Sequence, residues 1–443
     1  MTGVTILRGP LLRFRGDPFV VGAAAALDHD GDGAVAFAGG RIVDVGPAEQ
    51  VLAEHPDADV LRFGPRKLIA PGFVDCHVHY PQTGIIASHG EQLLDWLNRY
   101  TFPEEARFAD PAHAREVAAA FFTEEFLNGT TTASSFCTIH PASVDAYFEE
   151  AARHGARAVG GRTMMDRNAP ADLLDTAQSS FEETKSLIER WHGNGRADVA
   201  ISPRFAPTST PEQLEAAGAL AAAFPDCLIQ THLDETIAEI DWVANLFPAA
   251  PDYLGVYERY GLLGAKSLFG HAIHLAPRER DALAASGAAV AHCPLANQFL
   301  GSGECDVAGL KRAGVRVGLG TDVGGGTSLS MLAAMKAAYE VAQRRKAVLA
   351  PAELWWLATC GSADAIGRGG TVGNLAVGHE ADAIVLDLDA TSMLARRVDR
   401  ADSFADVLFA LIVLGDDRAV AQTWIDGRRV WDRDADTYAW TAV

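Results

Sequence analysis

The sequence predicts an α/β protein with a (β/α)8 barrel in the middle of the chain and a small β-rich domain formed by both chain ends. Between about residues 70 and 370, short apolar strands alternate with longer segments of helical spacing, the pattern of parallel βα units. About eight such units in ~300 residues favour a closed barrel over an open sheet. Residues 1–70 and the tail instead alternate short strand-like pieces with Gly and Asp turns.

The two chain ends have the same pattern of short strand-like segments. The segments "GVTILRG" and "GAVAFAGGRIVDVG" lie near the start, and "ADAIVLDLD" and "VAQTWIDGRRVWD" lie near the end. Because both ends are rich in short strands, we expect them to pair into one small sheet. The predicted boundaries are 1–70 and 372–443 for a discontinuous small β-sandwich domain, and 71–371 for the barrel.

The barrel region begins with the strand "KLIAPGFVDCH", which is followed by the helix-like "GEQLLDWLNRY". The next helix, "PAHAREVAAAFFTEEFLNG", ends on Asn128-Gly129, a pair suited to a helix C-cap. The later predicted strands are, in order, "TTTASSF", "ARAVGGRTM", "VAISPRFAP", "CLIQTHLDE", "SLFGHAIHL", "AAVAHCP" and "GVRVGLGTDVG". Helical segments such as "FEETKSLIERWHG" and "MLAAMKAAYEVAQRR" separate them.

The charge balance limits the class of partner. The 443 residues carry 37 basic and 58 acidic side chains, a net charge of −21, which argues against nucleic acid or an anionic membrane as main partner. A small neutral substrate remains compatible with this charge. The six cysteines form no CxxC pair, and we find no signal h-region and no bilayer-length apolar run. We therefore expect a soluble, cytoplasmic protein without a membrane partner.

Polar side chains capable of binding a metal or moving protons follow several predicted strands. In barrels of this type, catalytic groups lie at the carboxyl ends of the strands. His77 and His79 are two residues apart, so on a strand both point to the same side. The other candidates at strand ends are Arg204, His232, Glu235, His271, His274 and Asp322.

This residue set fits a hydrolytic metal site. Imidazole nitrogen and carboxylate oxygen are good Zn²⁺ ligands, and a catalytic site keeps one position open for water. The ion lowers the pKa of that water towards ~7, and a carboxylate must then move protons. Glu235 lies three residues after His232, so it can lie near the ion without binding it.

Simpler interpretations exist for each residue taken alone. A single His-x-His is weak evidence, Asp322 could cap the helix that follows it, and Glu235 could complement a helix dipole. Arg204 could pair with any acidic group. Core or loop positions are the better interpretation for four other histidines, His89, His140, His274 and His292. The functional interpretation gains its weight from the joint occurrence of the candidates at successive strand ends.

With these residues in order, the chain resembles the amidohydrolase superfamily, whose fold is a distorted (β/α)8 TIM barrel. Further segments are similar to those of the guanine deaminases within it. They are "PGFVDCHVHYPQ", "LLDWLNRYTFPEE", "NGTTTASSF", "PRFAPT", "THLDE", "GHAIHL", "HCPLANQFLGSG" and "GLGTDVGGGTSLSML". The resemblance runs from about residue 68 to 340 and continues into the tail "GNLAVGHEADAIVLD".

The resemblance implies an activity and a role for each matching position. The activity is the hydrolytic deamination of guanine to xanthine and ammonia in purine catabolism, by a single metal-bound hydroxide. Zn²⁺ is the implied cofactor, one ion per subunit with Fe²⁺ as the alternative, and a homodimer is the implied assembly. The implied metal ligands are His77, His79, His232 and Asp322. The implied catalytic residues are Glu235, Asp322 and His271, and the implied guanine-binding residues are Gln82, Arg204, Phe205, His271 and Asp322.

Two details of the sequence bear on this interpretation. Binuclear relatives bridge two metals with a carboxylated lysine, but the only lysine between His79 and His232 is Lys185, in a helical pattern, which favours one metal. Asp234 and His292 depart from the family pattern, so their roles stay open.

Two alternatives to guanine deamination remain. One is deamination of another nitrogen heterocycle, such as 8-oxoguanine, another aminopurine or a triazine, and the other is a non-catalytic scaffold. The Cys-ligated base deaminases are excluded, because the chain has no P-C-x-x-C segment.

Overall fold

The computed structural model describes residues 3–90 and 93–435, which form two β-sheets and a set of flanking helices. The strands are β1 (Thr5–Phe14), β2 (Leu27–Ala38), β3 (Arg41–Pro47), β4 (Asp59–Arg62), β5 (Lys67–Pro71), β6 (Phe73–Val78), β7 (Thr130–Phe136), β8 (Arg157–Gly161), β9 (Thr163–Met164), β10 (Ala197–Pro203), β11 (Leu228–Leu233), β12 (Ser267–His271), β13 (Ala289–His292), β14 (Arg316–Leu319), β15 (Ala383–Asp387), β16 (Val420–Ile425) and β17 (Arg428–Asp432).

The α-helices flank both sheets. They are α1 (Pro18–Val21), α2 (Ala23–Ala26), α3 (Ala48–Glu54), α4 (Leu93–Trp96), α5 (Phe102–Ala106), α6 (Pro111–Leu127), α7 (Pro141–His154), α8 (Ala177–Trp191), α9 (Pro211–Ala223), α10 (Ile237–Leu246), α11 (Tyr253–Arg259), α12 (Pro277–Ser286), α13 (Pro294–Phe299), α14 (Val307–Arg312), α15 (Met331–Arg344), α16 (Pro351–Leu357), α17 (Cys360–Ala365), α18 (Ser392–Val398) and α19 (Phe404–Leu414). Helix α3 packs against β2 and β3. A π-helix (Leu97–Thr101) joins α4 to α5.

The predicted barrel is confirmed. Its strands lie in the order β6-β7-β8-β10-β11-β12-β13-β14, with parallel pairing from each to the next, and the short β9 pairs with β10. The ring closes between its first and last strands just beyond the end of β14. There the Asp322 N–H donates to the His77 carbonyl at 2.9 Å, and the His79 N–H donates to the Val323 carbonyl at 2.8 Å. Closure of the barrel therefore involves three of the predicted site residues.

The second sheet joins the two chain ends, as the sequence predicts. Its order is β17-β16-β15-β5-β1-β2-β3, with β4 beside β1, and β5 pairs antiparallel with β15. The seam thus lies between the N-terminal and C-terminal segments. The boundaries 1–70, 71–371 and 372–443 stay predictions, and within the last of these segments α18 and α19 are helical.

Local signals explain where individual helices begin and end. Asp110 caps α6 by accepting from the Ala112 N–H, and the helix ends at Asn128, before Gly129 at φ 79°, as predicted. The predicted helix "GEQLLDWLNRY" spans residues 90–100. Residues 91–92 lie outside the described residues, and the segment continues as α4 and the π-helix. No helix of residues 3–90 and 93–435 is long and apolar enough to cross a membrane.

Candidate active site

Four of the predicted side chains meet at the carboxyl end of the barrel. His77 is on β6, His79 directly follows it, and His232 is on β11. Asp322 lies in the loop after β14. One ligand atom from each of these residues lies within 4.8 Å of the others. The sheet order therefore brings together residues up to 245 positions apart, since 322 − 77 = 245.

The distances inside this cluster fit a bound metal ion. His79 Nε2 is 3.2 Å from His232 Nε2, and Asp322 Oδ1 is 3.4 Å from both His77 Nε2 and His79 Nε2. Two ligand atoms at 2.0–2.1 Å from a tetrahedral ion lie about 3.3–3.4 Å apart. His77 Nε2 is buried and has no hydrogen-bond partner among the described residues. A divalent cation bound at this spacing would satisfy this nitrogen.

Burial keeps the imidazoles in the form that binds a metal. Burial lowers the pKa of His79 to about 4, and burial with neighbouring imidazoles lowers that of His232 well below its usual value. Burial alone would raise the pKa of Asp322, but His77 and His79 outweigh it and hold that pKa well below the usual range. Neutral histidines beside an ionised carboxylate are the protonation states that metal binding requires.

The ligand rings are held by their surroundings. His232 Nδ1–H donates to the Arg204 carbonyl at 2.7 Å, so Nε2 faces the cluster. His77 lies between two glycines: a Cβ on Gly270 would be 2.6 Å from His77 Cε1, and one on Gly320 would be 2.8 Å from His77 Cβ. The Phe136 ring stacks on His79 at a centroid distance of 4.9 Å. These contacts restrict the orientation of each ring.

Next to the cluster lie the predicted acid–base residues. His271 Nε2 is 3.4 Å from Glu235 Oε2 and 3.7 Å from Asp322 Oδ2. The Nδ1 of His271 lies 2.8 Å from Asn297 Oδ1, which can only accept, so Nδ1 carries the proton. Ser302 donates to Glu235 Oε1 at 2.8 Å. Burial and the Asp322 charge raise the pKa of Glu235 to about 8, so this carboxyl can carry a proton at neutral pH.

Four residues of this region hold a left-handed backbone that side chains other than glycine rarely adopt. The φ angles are 50° for Asp234, 68° for His271, 48° for Ala272 and 52° for Asp322. Such conformations cost of order 1–3 kcal/mol each and persist where the surrounding structure enforces them. Their clustering at one mouth of the barrel marks it as the functional end.

The residues predicted to hold a purine line the same cavity. It has about 440 Å³ of empty space, including its open mouth, and Gln82, Arg204, Phe205, His271 and Glu235 are among its lining residues. Leu93, Trp96 and Leu97 line it from the segment that covers the mouth. The cavity therefore has a polar floor at the histidine and carboxylate cluster, a polar wall formed by Gln82 and Arg204, and an apolar cover formed by Leu93, Trp96 and Leu97.

Sequence reasoning missed several residues that hold this arrangement. Glu105 accepts from both Gln82 and Arg204, Asn297 holds His271, and Ser302 holds Glu235. Asp75 accepts from the backbone of His77 and Thr321, at 3.1 Å each. Asn297 and Ser302 lie in the quoted segment "HCPLANQFLGSG" and Glu105 in "LLDWLNRYTFPEE", so segment similarity was the one available signal.

The simpler interpretations have mixed outcomes. Asp322 is not a helix cap, because Ser330 caps α15. His274 is a loop residue whose Nε2 lies 2.8 Å from the Ser302 carbonyl. Lys185 lies on α8, half-exposed beside Glu189, away from the strand ends, as predicted. His292 is buried, but neither of its ring nitrogens has a hydrogen-bond partner among the described residues.

Comparison with known proteins places the chain in a family. The amidohydrolase family model matches residues 68–430, most of the chain. The chain belongs to the amidohydrolase family. Within this amidohydrolase, residues 33–58 also match a bacterial imidazolonepropionase-like composite domain. The resemblance drawn from the strand-end motifs is thereby confirmed.

Individual amidohydrolases show where this one lies within the family. The guanine deaminase of Escherichia coli (strain K12) is 45% identical over 411 residues, 93% of this chain and 94% of that protein. The solved E. coli guanine deaminase has a TM-score of 0.94 at 43% identity, over 97% of this chain and 100% of that one. A Clostridium acetobutylicum guanine deaminase structure with bound guanine in the active site has a TM-score of 0.87 at 26% identity, over 97% and 100% of the chains.

Proposed function

We infer that this amidohydrolase is a guanine deaminase, which hydrolyses guanine to xanthine and ammonia in purine catabolism. The observation that carries this conclusion is a single cavity. It joins the His77, His79, His232 and Asp322 cluster to the side chains of Gln82 and Arg204. The high identity to the E. coli guanine deaminase over nearly the whole chain supports the same substrate.

The four-residue cluster would hold one metal ion, and zinc is the ion we propose, with Fe²⁺ as the alternative. Histidine nitrogen and carboxylate oxygen suit both ions. A bound divalent ion lowers the pKa of a water molecule towards ~7 and supplies hydroxide at neutral pH. One ion per subunit is favoured, because Lys185 lies on α8 and cannot bridge a second ion.

The purine is held by the opposite wall of the cavity. Arg204 donates to the O6 side of guanine and Gln82 donates to a neighbouring ring edge, with the Phe205 backbone beside them. This orientation turns C2, which carries the amino group, towards the metal cluster. Leu93, Trp96 and Leu97 cover the ring and keep bulk water out while the bond breaks.

Proton movements follow from the positions of three side chains. Glu235, with its raised pKa, delivers a proton to N3 as C2 becomes tetrahedral. His271 contacts both carboxylates and stabilises the attacking oxygen. Asp322 accepts the proton that remains on the attacking oxygen and passes it to the leaving amine, so C2 becomes a carbonyl. The proton that the next water loses on becoming hydroxide returns to Glu235. Ammonia and xanthine then leave the cavity.

The test is ammonia release from a panel of bases by the purified protein, with and without a metal chelator. We expect turnover of guanine and little turnover of adenine, cytosine or 8-oxoguanine. Chelation should remove the activity, and zinc should restore it. Equal or faster turnover of 8-oxoguanine would reassign the substrate, and a protein that retains no metal and no activity would revive the scaffold alternative.

The assembly and the location belong to the same proposal. We propose a homodimer in the cytoplasm, with no nucleic acid or membrane partner. Light scattering during size-exclusion chromatography measures the assembly, and cell fractionation measures the location. A monomer at micromolar concentration would contradict the first proposal, and activity in the membrane fraction would contradict the second.

A further inference from the structure

Glu105 is a buried carboxylate to which the proposed reaction assigns no role. It lies on the short helix α5, and only 1% of its surface is exposed. Oε1 accepts from Gln82 Nε2 at 2.9 Å, and Oε2 accepts from an Arg204 terminal nitrogen at 2.7 Å. One carboxylate therefore joins two purine-binding side chains that lie 122 positions apart in the sequence, since 204 − 82 = 122.

The carboxylate determines which way the Gln82 amide faces. An ionised carboxylate can only accept hydrogen bonds, so Gln82 must present its NH2 group to Glu105. On the other side, the Gly324 N–H can only donate, and it lies 3.2 Å from Gln82 Oε1. These two neighbours demand the same orientation. The amide oxygen is thus occupied by the backbone, and a second amide N–H is left for the cavity.

The polar wall of the cavity consequently consists of donors. A guanidinium has five N–H groups and no acceptor, so Arg204 also presents only donors once Glu105 has taken its share. Guanine offers two acceptors, O6 and N7, along one edge. A 6-aminopurine replaces O6 with an amino group, which is a donor, and would place donor against donor.

Charge gives the carboxylate a second effect. Arg204 is nearly as buried as Glu105, and an unpaired buried charge is costly. The Glu105 carboxylate neutralises the guanidinium and leaves the wall polar but uncharged overall, which suits a neutral purine. The Phe102 ring, on the same helix, lies 5.6 Å from the Arg204 guanidinium carbon and fixes its plane further.

We propose that Glu105 is a positioning residue that determines specificity, because it forces Gln82 and Arg204 to present donors to the O6 and N7 edge of guanine. This inference rests on the proposed guanine deaminase function. Glu105 itself touches neither the reacting carbon nor the metal cluster. It acts through the two side chains that it holds.

The test compares two substrates that share one leaving group. Guanine and 2,6-diaminopurine both carry the 2-amino group, but the second has an amino group in place of O6. Glu105→Gln keeps the shape of the side chain, removes the charge and provides an amide that can both donate and accept, which frees Gln82 to reverse. We expect kcat/KM for guanine to fall about 10- to 100-fold, mainly through KM. The guanine to 2,6-diaminopurine ratio should fall by at least about tenfold.

Glu104→Gln is the matched control. Glu104 is the preceding residue on α5, is also buried, and pairs with Arg107 at 2.7 Å and His113 at 3.0 Å. Its substitution should leave both KM and the substrate ratio within about twofold of the unchanged enzyme. Glu105→Asp is the second variant, because aspartate remains acceptor-only but is shorter. It should raise KM while keeping the preference for guanine.

The outcomes separate this inference from the proposed function. If the unchanged enzyme releases no ammonia from guanine, the proposed function fails. If it is active but Glu105→Gln lowers both substrates equally, or Glu105→Asp loses the preference as completely as Glu105→Gln, the specificity role fails. Bound metal should be equal in all variants. A loss of metal in Glu105→Gln would also overturn the inference, because the loss of activity would then come from the metal cluster and not from purine binding.

Discussion

The two ends of the active-site cavity are built in different ways. At the proposed metal end, three of the four clustered side chains are at or next to the ends of β6 and β11, and the fourth follows β14. At the proposed purine end, Gln82 follows β6, Arg204 follows β10 and Glu105 comes from a separate helix, α5. The metal end takes its geometry from the sheet, whereas the purine end takes it from hydrogen bonds between loops.

This difference implies that chemistry and substrate choice can change independently. Sheet order fixes the positions of the four clustered side chains that we propose as metal ligands. In the proposed function, substrate choice depends on a few side chains, of which Gln82 is oriented by Glu105 and the Gly324 N–H. Arg204 connects the two ends, because its side chain pairs with Glu105 while its carbonyl orients His232.

The largest effect of a substitution is expected at Glu235, the proposed proton-transfer residue, which lies between the two ends of the cavity. Glu235→Gln removes the titrating carboxyl but keeps its shape, so kcat for guanine should fall about 10²- to 10⁴-fold. Metal content and KM should change little, because Glu235 is not among the clustered ligands. Steady-state ammonia release measures kcat and KM, and metal analysis measures the metal content.

The pKa of Glu235, about 8, also predicts a pH dependence. The rate of the unchanged enzyme should fall as pH rises through that value, since the acid form of Glu235 is then lost.

A buried carboxyl near Glu235 provides the control. Glu239 is fully buried on α10 and accepts from the Tyr253 hydroxyl at 2.7 Å, and it does not line the cavity. Glu239→Gln should retain kcat within about fivefold. If both variants lose the same large factor, or if Glu235→Gln keeps nearly full activity, Glu235 is not the proton carrier.

A smaller effect is expected from a change behind a metal ligand. A Cβ on Gly270 would lie 2.6 Å from His77 Cε1, so Gly270→Ala must displace that imidazole. We expect metal affinity to fall about 10- to 100-fold, as for other residues that orient metal ligands. Titration of the metal-free protein with zinc measures the affinity. At saturating zinc, the KM for guanine should be close to normal, because the purine end is untouched.

Gly264→Ala is the control for this change. Gly264 precedes the same strand, and a Cβ there would meet no atom within 4 Å. Its zinc affinity should equal that of the unchanged enzyme. A Gly270→Ala protein with normal zinc affinity would show that His77 tolerates displacement and that the metal end is less rigid than its packing indicates.

The same contrast explains what the sequence alone could predict. Period-two spacing in His77-x-His79 and the rule that catalytic groups follow barrel strands predict that these histidines lie with Glu235 at one end of the barrel. The alternation of strands and helices predicted the barrel, and the shared texture of the chain ends predicted their common sheet. Each of these rules uses the pattern of residues that are close together along the chain, and this pattern can be read directly from the sequence.

Glu105 and Asn297 could not be predicted by those rules. Glu105 lies on a short helix in the middle of a long connection between β6 and β7, where no periodicity relates it to Arg204. Asn297 lies on α13, and its contact with His271 requires the neighbouring order of β12 and β13. Hydrogen bonds between separate segments need three-dimensional proximity, so sequence similarity drew attention to these segments without giving their roles.

The smallest expected effect tests the purine end from its backbone side. A Cβ on Gly324 would lie 2.8 Å from the Gln82 carbonyl oxygen and 3.0 Å from its Cβ, so Gly324→Ala must push Gln82 away and weaken its hydrogen bond to the Gly324 N–H. Loss of one such hydrogen bond is worth about 1 kcal/mol, so KM for guanine should rise about fivefold while zinc affinity stays unchanged. The control is Gly370→Ala, where a Cβ meets no atom within 4 Å.

Because Glu105 would still hold the Gln82 NH2 group, the preference for guanine over 2,6-diaminopurine should survive in Gly324→Ala. If that preference is lost instead, the Gly324 N–H orients the amide, and Glu105 serves mainly to neutralise Arg204.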